Sequence, residues 1–144
     1  MKCLLGISLV LFIFTSCIKY EDGPIISFKT KEKRLCQTWV LEKHINSLGV
    51  EGTANIELTI NKDFTGTVYY NINNPQWQPG ENQETITWEW LLGTYGIILN
   101  LPTIPNLANH GFSDQSQYEI RRLTSKELWI KDRGNLMEYH FKSN

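Results

Sequence analysis

The chain has 144 residues, of which 41% are hydrophobic and 20% are charged, and its formal net charge is −1. This composition is typical of one globular domain and lacks the strong basic excess of nucleic-acid-binding proteins. The three cysteines, Cys3, Cys17 and Cys36, do not have the spacing of a metal site.

The N-terminal residues have the pattern of a bacterial secretion signal. Lys2 is followed by an apolar run over residues 4–14, which is shorter than the ~20 residues of a membrane span. Phe-Thr-Ser-Cys at residues 14–17 resembles the lipobox, whose cysteine is acylated and becomes the first residue. We therefore predict a signal peptide over residues 1–16, lipidation of Cys17, and an outer-membrane lipoprotein at the periplasmic face or the cell surface. The alternative is a signal segment in which the cysteine is incidental.

Residues 17–35 are predicted to form a lipidated tether followed by a short helix. Gly23-Pro24 favours an extended segment, and the helix is predicted over Ser27 to Leu35 with Ser27 as its N-cap. If lipid occupies Cys17, Cys36 is left without a disulfide partner, and we expect it to be a buried, unreactive thiol.

From residue 36 to residue 144 the sequence alternates with a period of two, which is typical of half-buried strands. Ile56, Leu58 and Ile60 alternate with polar residues in the clearest example. Eight strands are predicted, within residues 36–45, 54–61, 67–72, 84–91, 95–101, 117–123, 127–132 and 136–141. The alternation in the first strand places His44 on its outer face.

Turns and loops separate these strands. Lys-Asp-Phe-Thr-Gly at residues 62–66 predicts a tight turn in which Gly66 can adopt a positive φ. Proline, glycine and polar residues predict two long loops, at residues 73–84 and 102–114. Because helices able to connect parallel strands are missing from this pattern, the fold is either an antiparallel sandwich or an up-and-down barrel.

The order of the motifs resembles the lipocalin-like domains of Bacteroidetes lipoproteins. The resemblance spans residues 27–142 and rests on Trp39 in the first strand, the turn at 62–66, Thr-Trp-Glu-Trp at 87–90, and the closing strands. It implies an all-β, eight-stranded antiparallel up-and-down barrel with a short N-terminal helix and a cleaved signal peptide. Trp39 would then plug one end, with a basic residue among Arg121, Arg122 and Arg133 near it. The chain departs from the pattern at Gln37 and Phe64, where the family has glycine.

The sequence gives little indication of catalysis. His44, His110 and His140 have no local metal spacing, and Glu57, Glu89 and Glu119 are predicted on outward faces. We therefore expect a protein that is not an enzyme, with no catalytic residue, no metal and no cofactor.

The aromatic residues predict a binding site. Trp88 and Trp90 lie two residues apart and share a face, which Tyr70 and Tyr118 would join, and Trp77 lies in the first long loop. One hypothesis is that the barrel binds a small hydrophobic or glycan ligand between its two long loops. The alternative is that the rings simply fill a solid barrel, which acts as a protein-interaction module in an envelope complex.

Overall fold

The structure is a computed structural model that describes residues 29–72, 80–91, 93, 95–101 and 115–144. In this part of the chain one helix precedes nine strands: α1 (Lys31–Leu35), β1 (Thr38–Ile45), β2 (Glu51–Gly52), β3 (Asn55–Ile60), β4 (Thr65–Ile72), β5 (Gly80–Trp90), β6 (Gly96–Asn100), β7 (Ser116–Leu123), β8 (Glu127–Asp132) and β9 (Glu138–Ser143). Among these residues, no helix has the length and apolar character needed to cross a membrane.

The strands form one antiparallel sheet that closes on itself. From β3 to β9 each strand pairs with the next along the chain. β1 pairs with β3 on one side and with β9 on the other, and the second pairing closes the barrel. β2 contributes two residues beside the end of β1, so the ring contains eight strands. The predicted all-β, eight-stranded antiparallel up-and-down barrel with a short N-terminal helix is confirmed.

The two ends of the barrel differ in what they carry. The helix end carries α1 and the connections at residues 61–64, 91–95 and 124–126. The loop end carries the connections at residues 46–54 and 133–137; β4 and β6 end there, and β5 and β7 begin there. Residues 73–79 and 102–114 lie outside the described part of the chain.

The core consists of inward side chains contributed by every ring strand. In β3 and β8, buried and partly exposed residues alternate along the strand, as the sequence predicts. The largest fully buried side chains are Trp39, Trp88, Tyr118, Tyr139 and Phe141. Burial of these aromatic surfaces is a principal source of stability, at roughly 25 cal/mol per Å² of apolar area.

The helix is shorter than predicted. It begins at Lys31, and the N-cap is Thr30, whose hydroxyl oxygen accepts a hydrogen bond from Lys33 N at 3.2 Å. The predicted cap Ser27 lies outside the described residues. Threonine is a good N-cap because its side-chain oxygen satisfies a backbone N–H that has no helical partner.

The first long loop is also shorter than predicted. β5 begins at Gly80, where it pairs with Ile72, and the pairing continues through Tyr70 opposite Asn82 and Val68 opposite Glu84. Residues 80–84 are therefore strand, although their composition predicts a loop. The hydrogen bonds to β4 outweigh weak local β-propensity, because tertiary pairing largely determines strand formation.

The predicted tight turn at residues 62–66 is correct, but its special residue is not Gly66. Phe64 adopts the positive φ, at 64°. Asp63 stabilises the turn, because its Oδ1 accepts hydrogen bonds from Thr65 N at 3.2 Å and Thr65 Oγ1 at 2.6 Å. Gly66 lies in β4, where a Cβ would come within 2.3 Å of the Thr59 carbonyl oxygen. Glycine is thus required there for space rather than for a left-handed backbone.

A β-bulge changes the direction of the side chains in β1. The register with β9 shifts between Leu41 and Lys43, so Leu41 is opposite Phe141 and His44 is opposite the buried Tyr139. The prediction that His44 faces outward is therefore wrong. An extra residue in one strand reverses the alternation beyond it.

Candidate functional site

Four polar or aromatic side chains come together inside the loop-end half of the barrel. Tyr118 and Tyr139 are fully buried, and their rings meet edge to face with centroids 6.0 Å apart. The ring of His44 lies 6.4 Å from that of Tyr139. Asp132 is 4% exposed and is the register partner of Tyr118. We call these residues the loop-end cluster; the β1–β9 pairing brings His44 to the other three.

The two phenols of the loop-end cluster are held in their neutral form. Burial raises the pKa of Tyr118 well above its usual range; a hydrogen bond with the Ser116 side chain opposes this rise, and the nearby Asp132 adds to it. Burial also raises the pKa of Tyr139, with smaller contributions in the same direction from Tyr118 and Asp132. Both hydroxyl groups therefore stay protonated, and the hydroxyl of Tyr139 donates a hydrogen bond to Met137 Sδ at 3.8 Å.

Asp132 links the cluster to the loop between β8 and β9. Its Oδ1 accepts hydrogen bonds from Gly134 N at 2.6 Å and Asn135 N at 3.0 Å. Leu136 follows with a φ of 62° and a side chain that is 53% exposed. The carboxylate of Asp132 therefore shapes a tight loop that presents an apolar side chain at the loop end.

Tyr70, a predicted ligand-binding residue, lies in the same half of the barrel on β4. Its side chain is 5% exposed, and burial, followed by the charge of Glu84, raises the pKa of its phenol. Tyr70 and Tyr118 thus occupy the loop-end half as buried, neutral phenols. The ring that contacts Tyr118 is Tyr139, which the sequence pattern did not single out.

Trp88 and Trp90, also predicted to bind ligand, form a separate aromatic group at the helix end. Their rings meet edge to face at 5.4 Å, and Phe64 packs on Trp88 at 5.2 Å. The indole N–H of Trp88 donates to the Asn61 carbonyl at 2.8 Å. These contacts attach the β3–β4 turn to β5. Trp77 lies outside the described residues and remains a prediction, as does the lipidation of Cys17.

Trp39, predicted to plug the barrel, is fully buried at the helix end. Its indole N–H donates to the Leu35 carbonyl of α1 at 2.8 Å. The buried arginine at this end is Arg34, whose Nη1 donates to the Leu123 carbonyl at 3.0 Å. Gln37, at the position of the family glycine, donates through Nε2 to the carbonyls of Arg34 and Ser125. These bonds attach α1 to the end of the barrel.

The three arginines proposed from the resemblance occupy other places. Arg121 forms an ion pair with Glu119 at 3.2 Å, and Arg122 forms one with Glu127 at 2.8 Å. Arg133 is exposed after the end of β8. The resemblance points only to arginines near the closing strands. It therefore misses Arg34, which precedes the first strand. Its position in the short helix predicted before the first strand was the available signal.

An open groove lies on the rim of the loop end. It has a volume of about 370 Å³ and is lined by Gln115, Ser116, Gln117, Asp132, Arg133 and Gly134. The backbone N–H of Arg133 donates to the Gln117 carbonyl at 2.9 Å, which attaches the β8–β9 loop to β7. Asp132 therefore belongs both to the buried loop-end cluster and to the wall of this groove.

The remaining chemical groups are spread over the fold. His140 is buried on the outer wall, where its Nε2 lies 2.7 Å from Glu138 Oε1, and His110 lies outside the described residues. Cys36 is a free thiol whose pKa is raised by burial and by Glu32, with Lys62 opposing. Within the described ranges, no three histidine, cysteine or carboxylate side chains form a metal-binding group.

Comparison with solved structures supports the architecture independently. A lipocalin-like protein from Bacteroides uniformis superposes with a TM-score of 0.62 at 14% identity, covering 77% of this chain and 99% of the other. The fold is lipocalin-like. An uncharacterized protein from Bacteroides eggerthii gives a TM-score of 0.56 at 16% identity, covering 76% of this chain and 99% of its own. No protein-family model matches the chain, and no curated protein matches it.

Proposed function

We propose that this protein is a lipid-anchored lipoprotein of the bacterial cell envelope whose lipocalin-like barrel binds a small hydrophobic or glycan ligand at its loop end. The observation that supports ligand binding is the loop-end cluster. Tyr118, Tyr139, His44 and Asp132 place aromatic faces and polar groups together within the barrel. An eight-stranded barrel is wide enough either to be filled by side chains or to hold one small ligand, as lipocalins do.

The chemistry of the cluster fits a ligand that combines an apolar ring or chain with hydroxyl groups. The two phenol rings offer apolar surface, and their neutral hydroxyl groups can donate hydrogen bonds. A ligand hydroxyl entering from the loop end would meet donors and acceptors already held in place.

Ligand binding can be tested by thermal shift and tryptophan fluorescence with fatty acids and oligosaccharides. We expect a ligand that raises the melting temperature of the wild-type protein and binds more weakly to Tyr118→Phe, which keeps the ring and removes the hydroxyl. Tyr69→Phe is the matched control, because Tyr69 alternates with the buried Tyr70 and lies on the outer wall. A panel that leaves both signals unchanged would remove the support for ligand binding.

The lipid anchor has a separate test. Cells expressing the protein are labelled with a radioactive fatty acid, and Cys17→Ala is compared with Cys36→Ala. Label is expected on the wild-type and Cys36→Ala proteins but not on Cys17→Ala. Equal labelling of all three would contradict acylation at Cys17.

A second candidate function is a protein-interaction module, and a row of side chains on the outer wall favours it. Trp129 stacks in parallel on His140 at 4.2 Å, and the guanidinium of Arg122 lies 5.0 Å from the Trp129 ring. Aromatic and arginine side chains are enriched at protein interfaces. Crosslinking in intact cells should recover a partner with the wild type and less with Trp129→Ala; recovery of the bait alone would count against this function.

A further inference from the structure

The helix end carries an excess of positive charge. Its described connections contain five lysines, at Lys29, Lys31, Lys33, Lys62 and Lys126, against two carboxylates, at Glu32 and Asp63. All of these side chains are exposed except that of Lys31, which is partly exposed. The chain as a whole has a net charge of −1, so positive charge is concentrated at this end.

Several contacts join these connections into one surface. Lys31 Nζ lies 5.3 Å from the centre of the Tyr95 ring, which joins α1 to residues 91–95. Gln37 Nε2 donates to the Ser125 carbonyl, which joins α1 to the turn that carries Lys126. The Ile60 N–H donates to the Gln37 carbonyl at 3.1 Å, which joins the segment after α1 to the end of β3, next to the turn that carries Lys62. The lysines therefore surround a single end of the barrel.

Aromatic side chains lie among these lysines. Phe64 is 51% exposed and Tyr95 is 49% exposed, and the partly exposed Trp90 packs against Trp88 beside Phe64. Phe64 keeps this place although its backbone has a positive φ, which is uncommon for a bulky residue. A smaller polar residue would adopt this turn with less strain. The Phe64 ring packs on Trp88, and its side chain still leaves 51% of its surface exposed at this end of the barrel.

We propose that the helix end of the barrel docks onto an anionic lipid bilayer. Lysines near a bilayer surface are attracted to anionic headgroups, and aromatic rings favour the interfacial region between headgroups and acyl chains. Both features occur at one end of the barrel, where the chain enters from its N-terminal segment. Docking at the helix end leaves the loop-end cluster facing away from the bilayer.

This proposal goes beyond ligand binding and does not depend on acylation of Cys17. Every described strand pairing lies within residues 38–143, and α1 lies within residues 31–35. A chain that starts at residue 18 keeps all of these contacts and lacks the acylation site. Membrane docking can therefore be measured on it without a lipid anchor, after circular dichroism has confirmed its β-structure.

The experiment is co-sedimentation of this chain with vesicles. Vesicles of equal parts phosphatidylglycerol and phosphatidylcholine are compared with vesicles of phosphatidylcholine alone. We expect binding to the anionic vesicles that weakens as salt is added, because salt screens charges across a surface. At one fixed salt concentration, the Tyr95→Ser variant should bind the anionic vesicles more weakly than the unsubstituted chain, since it lacks an exposed ring.

Matched double variants locate the interaction. Lys62→Gln/Lys126→Gln removes two charges at the helix end, and Lys43→Gln/Lys131→Gln removes two from the barrel wall. At roughly fivefold in partition coefficient per lysine near an anionic surface, the first pair should weaken binding by about 25-fold. The second pair should change it by less than about threefold, because those lysines lie farther from the docked surface.

Three results would overturn the proposal. The first is equal binding to anionic and neutral vesicles. The second is an equal loss of binding in the two double variants, which would indicate a response to net charge alone. The third is that a short single-stranded DNA competes with the vesicles at comparable phosphate concentration, which would identify a general polyanion surface rather than a lipid-docking surface.

Discussion

Replacing Gly66 by alanine tests whether the β3–β4 hairpin is packed as described. A Cβ at this position would lie 2.3 Å from the carbonyl oxygen of Thr59, whereas ordinary contacts begin at 3.4 Å. The two strands would have to separate by about 1 Å at this point. The carbonyl belongs to a paired strand and cannot rotate away as a flexible side chain would.

We expect Gly66→Ala to lower the free energy of unfolding by about 3 kcal/mol, at the upper end of the usual range for overpacking. Gly49→Ala is the matched control: Gly49 has a φ of 79° but nothing within 4 Å of an added Cβ, so its loss should be about 1 kcal/mol. Urea denaturation followed by tryptophan fluorescence measures both values.

A second substitution identifies the atom responsible for the clash. The added Cβ at Gly66 would also lie 3.1 Å from Cγ1 of Ile86, a side chain that can move. If the Thr59 carbonyl limits the space, Gly66→Ala will cost as much stability in an Ile86→Ala background, which lacks both Cγ1 and Cδ1, as it does in the wild type. A smaller loss in that background, or a loss in Gly66→Ala no larger than that in Gly49→Ala, would refute the reasoning.

Three further predictions concern the two ends of the barrel. Trp39→Phe should cost about 2–4 kcal/mol of unfolding free energy, because it removes buried surface and one of the two hydrogen bonds to the Leu35 carbonyl, which keeps the bond from Gln37 N. Trp129→Phe on the outer wall should cost about 1 kcal/mol or less. Since burial raises the pKa values of Tyr118 and Tyr139, the unfolded chain loses these protons first, and stability should fall as pH rises above about 10. Tyr118→Phe should reduce this fall of the unfolding free energy with pH, measured by denaturation at a series of increasing pH values. An unchanged fall would contradict the conclusion that burial raises the pKa of Tyr118. Asp132→Ala should lower the unfolding free energy by about 1–3 kcal/mol. Asp132→Asn should lower it clearly less, because it keeps an acceptor for the two loop N–H groups. Equal losses in urea denaturation would show that these hydrogen bonds are not the cause.

The candidate site was only partly predictable from the sequence. Tyr70 and Tyr118 were selected because aromatic residues at alternate positions share a strand face, and both are buried in the loop-end half. Tyr139 and Asp132 were not selected, since a single tyrosine or aspartate at the end of a short strand has no local signature. His44 was placed on the wrong face because a one-residue bulge leaves the composition of the strand unchanged.

The sequence by itself determined the local features: a period of two from residue 36 onward, turns where glycine, asparagine and aspartate interrupt it, and an N-terminal segment typical of a signal peptide. Alternation alone leaves a sandwich and a barrel equally possible, because both require one buried face in each strand. The choice between them depends on pairing between β1 and β9, which lie about a hundred residues apart. That pairing also assembles the loop-end cluster, since it brings His44 beside Tyr139. Only the tertiary structure could decide these points, because the local sequence of a strand does not indicate which distant strand it will pair with.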